Sequence, residues 1–97
     1  MPESTVRVEE NPEKNRYEIF VDDRIAGFAE YSDAMGQRVM FHTEVDSAFN
    51  GQGVGGKLAA AALDDIRAKG MKVVPTCPFI SGYIDRHPEY ADLLRQR

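Results

Sequence analysis

The chain has 97 residues, 42% of them hydrophobic and 29% charged, a composition that predicts a single globular domain over residues 1–97. Its formal net charge of −4, without a long basic run, argues against nucleic acid or an anionic membrane surface as the main partner. The polar, acidic start and the short longest apolar run, at 58–63, predict neither a signal peptide nor a membrane span. Cys77 is the only cysteine, so no internal disulfide or cysteine-built metal site can form, and a reducing cytoplasm is the expected location.

The first half of the chain predicts a meander of antiparallel strands, because alternating apolar and polar runs are separated by short turns. These runs lie at 6–10, 16–21, 25–31 and 39–45. Asp22 and Asp23 form the expected hairpin turn between the second and third strands. Residues 33–37, which contain Gly36, are expected to form the next loop.

The second half of the chain changes to a helical period. Apolar residues repeat every four positions at Val54, Leu58, Ala62 and Ile66. This pattern predicts a helix with one buried stripe, which Gly70 ends. A strand over 72–76 follows, and Pro75 requires a sheet edge or an open ladder because it cannot donate a hydrogen bond. Pro78 is suited to begin a short helix, and a last short helix starts at position 88.

The expected fold class is therefore α+β. A mixed, mostly antiparallel sheet is covered by one crossover helix and by one or two short C-terminal helices.

The most informative segment is the glycine-rich stretch 50–58, Asn-Gly-Gln-Gly-Val-Gly-Gly-Lys-Leu, which leads directly into the predicted helix. Such a turn directs unpaired N–H groups and the positive end of the helix dipole at one point, which suits a phosphate. The dinucleotide fingerprint G-x-G-x-x-G fits, but no acid lies about 20 residues further on. The front of a P-loop also fits, but Leu58 stands where Ser or Thr would hold Mg²⁺. Both ligands are therefore disfavoured.

A third pattern, a strand ending at Val45 followed by x-G-x-G-x-G and a helix, resembles the pyrophosphate loop of the GNAT acetyltransferase superfamily. Further segments resemble the small, single-domain YjdJ-type GNAT family, and the resemblance covers residues 16–95. These segments are His42-Thr43-Glu44-Val45, Val73-Val74-Pro75-Thr76-Cys77-Pro78-Phe79, and Tyr83-Ile84 through His87-Pro88-Glu89-Tyr90.

The resemblance implies acetyl-coenzyme A as the acyl donor, lying where the strand at 39–45 splays from the strand at 72–76. Loop N–H groups from Gln52 to Lys57 would hold the pyrophosphate, and backbone near Glu44 and Val45 would pair with pantetheine. The binding residues that it implies are Glu44, Val45, Asn50, Gly51, Gln52, Gly53, Val54, Gly55, Gly56, Lys57, Cys77, Phe79 and Tyr83.

The chain departs from larger GNAT members in two ways. Asn50 stands where they usually carry Gln or Arg, and Lys57 is a candidate substitute for that charge. The chain also lacks the helices that many members place after the first strand, where they help shape the acceptor site. Arg86 could reach a coenzyme phosphate, although the sequence does not fix its direction, and His87 is expected to be a cap or a surface residue.

Cys77 is the sharpest candidate for chemistry. It precedes Pro78 and so is expected at the N-cap of a helix, where the dipole favours the thiolate. The alternative is a small buried hydrophobic residue. The family resemblance places this cysteine near the acetyl thioester, where it would either accept the acetyl group or orient the thioester.

Three further side chains are candidates for proton transfer. His42 and Glu44 are predicted to share a strand face with Met40, and either could act as a general base or simply face solvent. Tyr83 resembles the tyrosine that protonates the leaving thiolate in many GNAT enzymes, or it is a core aromatic with a surface hydroxyl.

The expected function is an N-acetyltransferase that moves an acetyl group to an amine of a small molecule or a protein. Two alternatives stay open: an acyl-coenzyme A-binding module without catalysis, and a protein-interaction domain with a residual loop.

Overall fold

The computed structural model describes residues 5–49 and 51–94, which form a five-stranded sheet with two α-helices on one of its faces. The strands, in spatial and chain order, are β1 (Val6–Asn11), β2 (Arg16–Val21), β3 (Arg24–Ala34), β4 (Gln37–Val45) and β5 (Lys72–Pro75). The helices are α1 (Val54–Ala68) and α2 (Pro78–Arg86), and 3₁₀ turns cover Ser47–Phe49 and Pro88–Leu93. Strands β1 to β4 pair antiparallel, and β5 joins β4 in parallel. The predicted α+β fold is confirmed.

The predicted hairpin turn at Asp22 and Asp23 is confirmed, and the second hairpin is tighter than the sequence predicts. Asp22 and Asp23 have φ values of 50° and 67°, and Met35 and Gly36 have values of 54° and 78°. Two successive left-handed residues make the short turn that matches the twist of paired strands. The predicted loop at 33–37 is therefore wrong at both ends, because β3 continues to Ala34 and β4 begins at Gln37.

Helix α1 packs its predicted stripe against the sheet. Its buried residues are Val54, Leu58, Ala59, Ala62, Leu63 and Ile66. They join a core that includes Tyr17, Ile19 and Met40 from the strands. Gly70, with a φ of 69°, follows the helix end as expected. No helix in the described ranges is long and apolar enough to cross a membrane.

A β-bulge in β4 changes the facing of the residues beyond it. Glu30 of β3 pairs with His42, but the next residue, Tyr31, pairs with Met40, so Phe41 is the extra residue. One extra residue reverses the alternation of side chains. His42 therefore lies on the face opposite Met40, and the prediction that the two share a face is wrong.

Because of this reversal, the side chains at the end of β4 fall into two sets that face opposite sides of the sheet. Thr43 and Val45 face the helices, where Val45 packs against the core. His42 and Glu44 project from the open face of the sheet, and both are exposed.

β4 and β5 pair over only a few residues. Their parallel ladder runs from Gln37 opposite Lys72 to Met40 opposite Pro75. Pro75 ends the ladder on an edge strand, as its missing N–H requires. Beyond this point the chain enters α2, while β4 continues for five residues to Val45. The two strands therefore separate at the predicted place.

A buried ion network ties β4 to α1. Arg38 is 4% exposed. Its guanidinium donates to both carboxylate oxygens of Asp33 at 2.7 Å, to Glu10 at 3.1 Å and to the Tyr17 hydroxyl at 2.7 Å. The Tyr17 hydroxyl donates in turn to Asp65 of α1 at 2.6 Å. Four secondary-structure elements (β1, β2, β4 and α1) and the end of β3 are thus linked through one cation.

The network lowers the pKa of its carboxyl groups. Glu10, Asp33 and Asp65 all have pKa values below the ordinary 4.5 of a glutamate and 3.8 of an aspartate. The hydrogen bond from Arg38 is the largest cause for the pKa of Asp33. For Glu10 and Asp65 burial is the largest single effect and raises the pKa, but hydrogen bonds, including one from Lys69 to each, outweigh it.

These lowered pKa values predict acid lability. A carboxyl group with a lowered folded-state pKa contributes stability above its unfolded pKa and loses it as pH falls through the folded value. We expect the free energy of unfolding to fall steadily below about pH 4.5, where the unfolded chain takes up protons more readily than the folded chain. Urea unfolding followed by circular dichroism across this range measures it. A free energy that stays level down to about pH 3 would contradict the expectation.

Gly27 is required by the close approach of β3 and β4. A Cβ atom at this position would lie 2.5 Å from the carbonyl oxygen of Glu44, which is backbone and cannot move aside cheaply. We expect Gly27→Ala to lower the free energy of unfolding by about 1–3 kcal/mol, the usual effect of overpacking. Gly82→Ala in α2 is the control, because its Cβ would meet only the Arg86 side chain, at 3.4 Å. The control should be neutral or stabilising, and equal losses in both variants would refute the steric argument.

Candidate active site

The glycine loop delivers a helix start without a side-chain cap. Gly53, with φ 70° and ψ 17°, is the N-cap of α1 and has no side chain that could bond to the first turn. Gly51 has a φ of 82°, which glycine adopts without strain. Asn50 lies outside the described residues. The loop therefore presents the positive end of α1 to its surroundings.

The backbone hydrogen bonds show which N–H groups of the loop are free to donate to a phosphate. The N–H of Gln52 donates to the Phe49 carbonyl at 3.4 Å, and the N–H of Lys57 donates to the Gly53 carbonyl at 3.1 Å. The first-turn N–H groups of 54–56 have no partner within their own helix. The N–H groups of 54–56 are therefore available as donors at this helix start, whereas those of Gln52 and Lys57 already donate to backbone carbonyls.

A groove of about 480 Å³ opens beside this helix start. Residues of the first two turns of α1, from Gly53 to Ala60, line one side of the groove, and residues of α2 line the other. The residues that line it are Gly53, Gly56, Lys57, Ala60, Phe79, Tyr83, Arg86 and His87. The cationic side chains of Lys57 and Arg86 line the same groove as the unpaired N–H groups. The groove thus has the donors and the charge that suit a pyrophosphate.

Gly55 allows α2 to approach α1 closely. A Cβ at Gly55 would lie 2.8 Å from Cζ of Phe79, and one at Gly56 would lie 3.7 Å from the Tyr83 ring. The glycines thus serve two purposes, since they expose the N–H groups and admit an aromatic wall. Both aromatic side chains predicted to bind the coenzyme do line the groove.

Cys77 is the N-cap of α2, as predicted, with an extended φ of −75° and ψ of 124°. Its side chain is 5% exposed, and its thiol donates to the hydroxyl of Thr43 at 3.4 Å. Its N–H donates to the Met40 carbonyl at 2.9 Å, so the cysteine sits where β4 and β5 separate.

The surroundings of Cys77 favour its thiolate. Burial raises the pKa of the thiol, but hydrogen bonds outweigh burial, and the net pKa is lowered. The largest of these bonds is with the side chain of Thr43, followed by those with the N–H groups of Ile80 and Phe79 at the start of α2. A helix start that stabilises negative charge is the physical cause.

His42 and Glu44 form a pair on the open face of the sheet. The Nε2 atom of His42 lies 2.8 Å from a carboxylate oxygen of Glu44. The imidazole also lies against the Phe28 ring, with 6.0 Å between the ring centres. The bulge turns both side chains away from the face that holds Cys77. His42 therefore contacts Glu44, but neither side chain lies on the same face as the thiol of Cys77.

Tyr83 stacks on His87 in the groove, with ring centres 3.9 Å apart and planes inclined by 15°. Burial, with the charges of Glu89 and Asp64, raises the pKa of its hydroxyl. The tyrosine is therefore protonated at neutral pH, as a proton donor must be.

Two contributors, Thr43 and His87, escaped the sequence analysis as site residues, whereas Arg86 was named there as a possible phosphate contact and lines the groove in the structure. Thr43 contacts the thiol, but simple alternation places it on the wrong face, and nothing in the sequence marks the bulge. Arg86 and His87 were detectable, because they follow Tyr83 by three and four residues and so share its helix face. His87 is not only a cap, since its Nδ1 lies 2.8 Å from the Tyr83 carbonyl and its ring lines the groove.

A model of the GCN5-related N-acetyl-transferase family matches residues 16–93, which include every described element of the site. The chain belongs to this family. Among curated relatives, Protein NATD1 of Xenopus tropicalis is 32% identical over 92 residues, covering 90% of this chain and 82% of the relative. Protein NATD1 of Homo sapiens is 32% identical over 88 residues, covering 86% and 75%.

Several solved structures have the same fold as this chain. A GCN5-like protein from Staphylococcus aureus matches with a TM-score of 0.71 and 22% identity, over 94% of this chain and 89% of the other. Ard1 from Thermoplasma volcanium matches with a TM-score of 0.63 and 25% identity, over 80% and 57%. The ribosomal-protein-S18-alanine N-acetyltransferase of Escherichia coli matches with a TM-score of 0.63 and 16% identity, over 73% of this chain and 49% of the other.

Proposed function

We propose that this protein is an acetyl-coenzyme A-dependent N-acetyltransferase of the small YjdJ-type group, acting in the cytoplasm on an amine of a small molecule or a protein. The observation that carries the proposal is the groove at the start of α1, which is lined by two cationic side chains, Lys57 of α1 and Arg86 of α2. This groove lies beside α2, and the N-cap of α2 is Cys77, at the separation of β4 and β5.

The residues of the groove fit the coenzyme in three respects. The N–H groups at 54–56, with Lys57 and Arg86, match a pyrophosphate in charge and in hydrogen-bond polarity. The rings of Phe79 and Tyr83 give the groove an apolar wall. The edge of β4 beyond Met40, no longer paired with β5, offers backbone groups near Glu44 and Val45 to an amide-bearing chain such as pantetheine.

Acetyl-coenzyme A supplies the acetyl group as a thioester. In the net reaction the acceptor nitrogen bonds to the acetyl carbon, the carbon–sulfur bond breaks, the amine loses a proton and the thiolate gains one. Two sites of this chain match the proton transfers. His42, paired with Glu44, is the candidate base, and Tyr83, protonated at neutral pH, is the candidate acid.

Cys77 admits two roles that an experiment separates. Its stabilised thiolate could take the acetyl group before the amine does, or its position could simply hold the thioester. Mass spectrometry after mixing with acetyl-coenzyme A tests the first role, which predicts one added acetyl unit on the wild type and none on Cys77→Ala. Unchanged turnover in Cys77→Ala would instead assign transfer directly to the acceptor.

Calorimetry with acetyl-coenzyme A tests the proposal as a whole, with saturable binding as the expected result. Absence of binding at millimolar ligand would refute it. A second candidate, an acyl-coenzyme A-binding module without catalysis, is favoured by one observation: the His42–Glu44 pair faces away from Cys77. An amine screen with labelled acetyl-coenzyme A distinguishes the two, because the module binds the coenzyme and acetylates no amine.

A further inference from the structure

A second cavity, of about 300 Å³, opens near the end of β4. The side chains of Arg16, Phe28 and Glu44 reach it from three neighbouring strands on the open face of the sheet. Asp46, which directly follows β4, completes one side. The cavity shares Glu44 and Val45 with the strand edge that the proposed function assigns to the coenzyme.

The position of this cavity is fixed by the backbone. The N–H of Asp46 donates to the Ala26 carbonyl at 2.8 Å, and one Asp46 carboxylate oxygen accepts from the N–H of Ala48 at 2.9 Å. Gly27 forms part of the wall, and a side chain there would meet the Glu44 carbonyl. The cavity is therefore formed by hydrogen-bonded strand ends rather than by long loops.

The charge of the cavity is negative. The guanidinium of Arg16 is already paired with Glu18 at 2.8 Å and lies 4.5 Å from the centre of the Phe28 ring. Among the described residues, the only ionic partner of Glu44 within 4.0 Å is the imidazole of His42. Among the same residues, Asp46 has no ionic partner within that distance. Within residues 5–49 and 51–94, these two carboxylates thus have no lysine or arginine partner.

We propose that this cavity is the acceptor subsite and that it selects amines carrying a second positive charge. The inference rests on the proposed function, because it places the acceptor beside the coenzyme edge of β4. The reacting amine must be uncharged to attack a thioester, so the carboxylates recognise the other cationic group of the acceptor. His42 does not line the cavity itself, but its Nε2 lies 2.8 Å from the Glu44 carboxylate on the same face of the sheet, and we assign it as the group that takes the proton that the reacting amine loses.

A matched pair of acceptors tests the selection. With acetyl-coenzyme A as donor, we expect kcat/KM for 1,4-diaminobutane to exceed that for n-butylamine by about tenfold, as expected for a charge-assisted contact. Asp46→Asn keeps the amide oxygen for the Ala48 contact but removes the charge, and it should reduce this preference by about fivefold or more. Glu13→Gln removes one charge from an exposed turn and is the control that should keep the preference. Equal rates for both amines in the wild type would overturn the proposal.

A binding measurement separates this inference from the proposed function. Titration of 1,4-diaminobutane, with and without coenzyme A, should shift the amide resonances of Gly27, Phe28 and Asp46 in the wild type more than in Asp46→Asn. If acetyl-coenzyme A binds but the diamine shifts none of these resonances, the acceptor subsite is refuted and the proposed function stands. If the diamine shifts them while acetyl-coenzyme A fails to bind, the cavity binds dications and the transferase proposal fails. Preference for an anionic amine, such as an amino acid, would assign the cavity to Arg16 and overturn the charge argument.

Discussion

Replacing both Lys57 and Arg86 by glutamine is expected to weaken acetyl-coenzyme A binding by about a hundredfold or more. Both side chains line the groove at the start of α1, where the unpaired N–H groups of 54–56 already favour an anion. A hydrogen bond to a charged group contributes about 1.5–3 kcal/mol, and each 1.4 kcal/mol is a tenfold change in affinity. Two such contacts account for the expected loss after screening by solvent.

Calorimetry on the double variant measures the loss. The control is Arg7→Gln with Lys14→Gln, which removes the same two charges from β1 and the turn that follows it. Both control residues are exposed and lie outside the groove. A similar loss in the control would show that affinity depends on total charge and not on the groove. Steeper salt dependence in the wild type than in the groove variant is a second expected result.

Replacing Arg38 by methionine is expected to lower the free energy of unfolding by about 3–5 kcal/mol, because it removes a buried guanidinium together with the charged hydrogen bonds that it donates. The change leaves the exposed carboxylate of Asp33 and the partly buried carboxylate of Glu10 without their shared cation. It also removes the guanidinium carbon that lies 3.7 Å from the centre of the Tyr31 ring. In a domain of this size each 1 kcal/mol shifts Tm by about 4–8 °C, so the variant should melt at least about 10 °C lower.

Arg7→Met is the matched control for this prediction. Arg7 also pairs with two carboxylates, those of Glu9 and Asp23, and also lies over an aromatic ring, that of Phe20 at 4.4 Å. It differs from Arg38 in exposure, since 41% of its side chain is accessible. Thermal unfolding should therefore be almost unchanged in Arg7→Met. Equal shifts of Tm in the two variants would mean that burial does not decide the strength of the network.

Most of the fold could be predicted from the sequence, because its elements have strong local signals. The four-residue period of α1 and the glycine that ends it are both confirmed. Pro75 correctly indicated the end of a ladder on an edge strand. The boundaries of β3 and β4 were less predictable, because Met35 in the turn adopts a left-handed conformation that nothing in its side chain favours.

The site was predictable as far as local chemistry determines it. Cys77 before Pro78 marked a helix cap, and the glycines marked the start of α1. The facing of His42 was not predictable, because the bulge at Phe41 depends on how β4 pairs with β3. The spacing of Arg86 from Tyr83 puts both on one helix face, but that this face lines a groove depends on how α2 packs against α1.

The extra residue at Phe41 has a consequence for how this segment can change in length. Thr43 reaches the thiol of Cys77, while its neighbour His42 reaches the open face, only because one residue interrupts the alternation. Deleting Phe41 would leave Met40, His42 and Thr43 in a regular pleat on their present faces, whereas a strand that kept Phe41 and lost the bulge would exchange the faces of His42 and Thr43. We therefore expect deletion of Phe41 to preserve the contact between Thr43 and Cys77, and substitutions that remove the bulge without shortening the strand to break it.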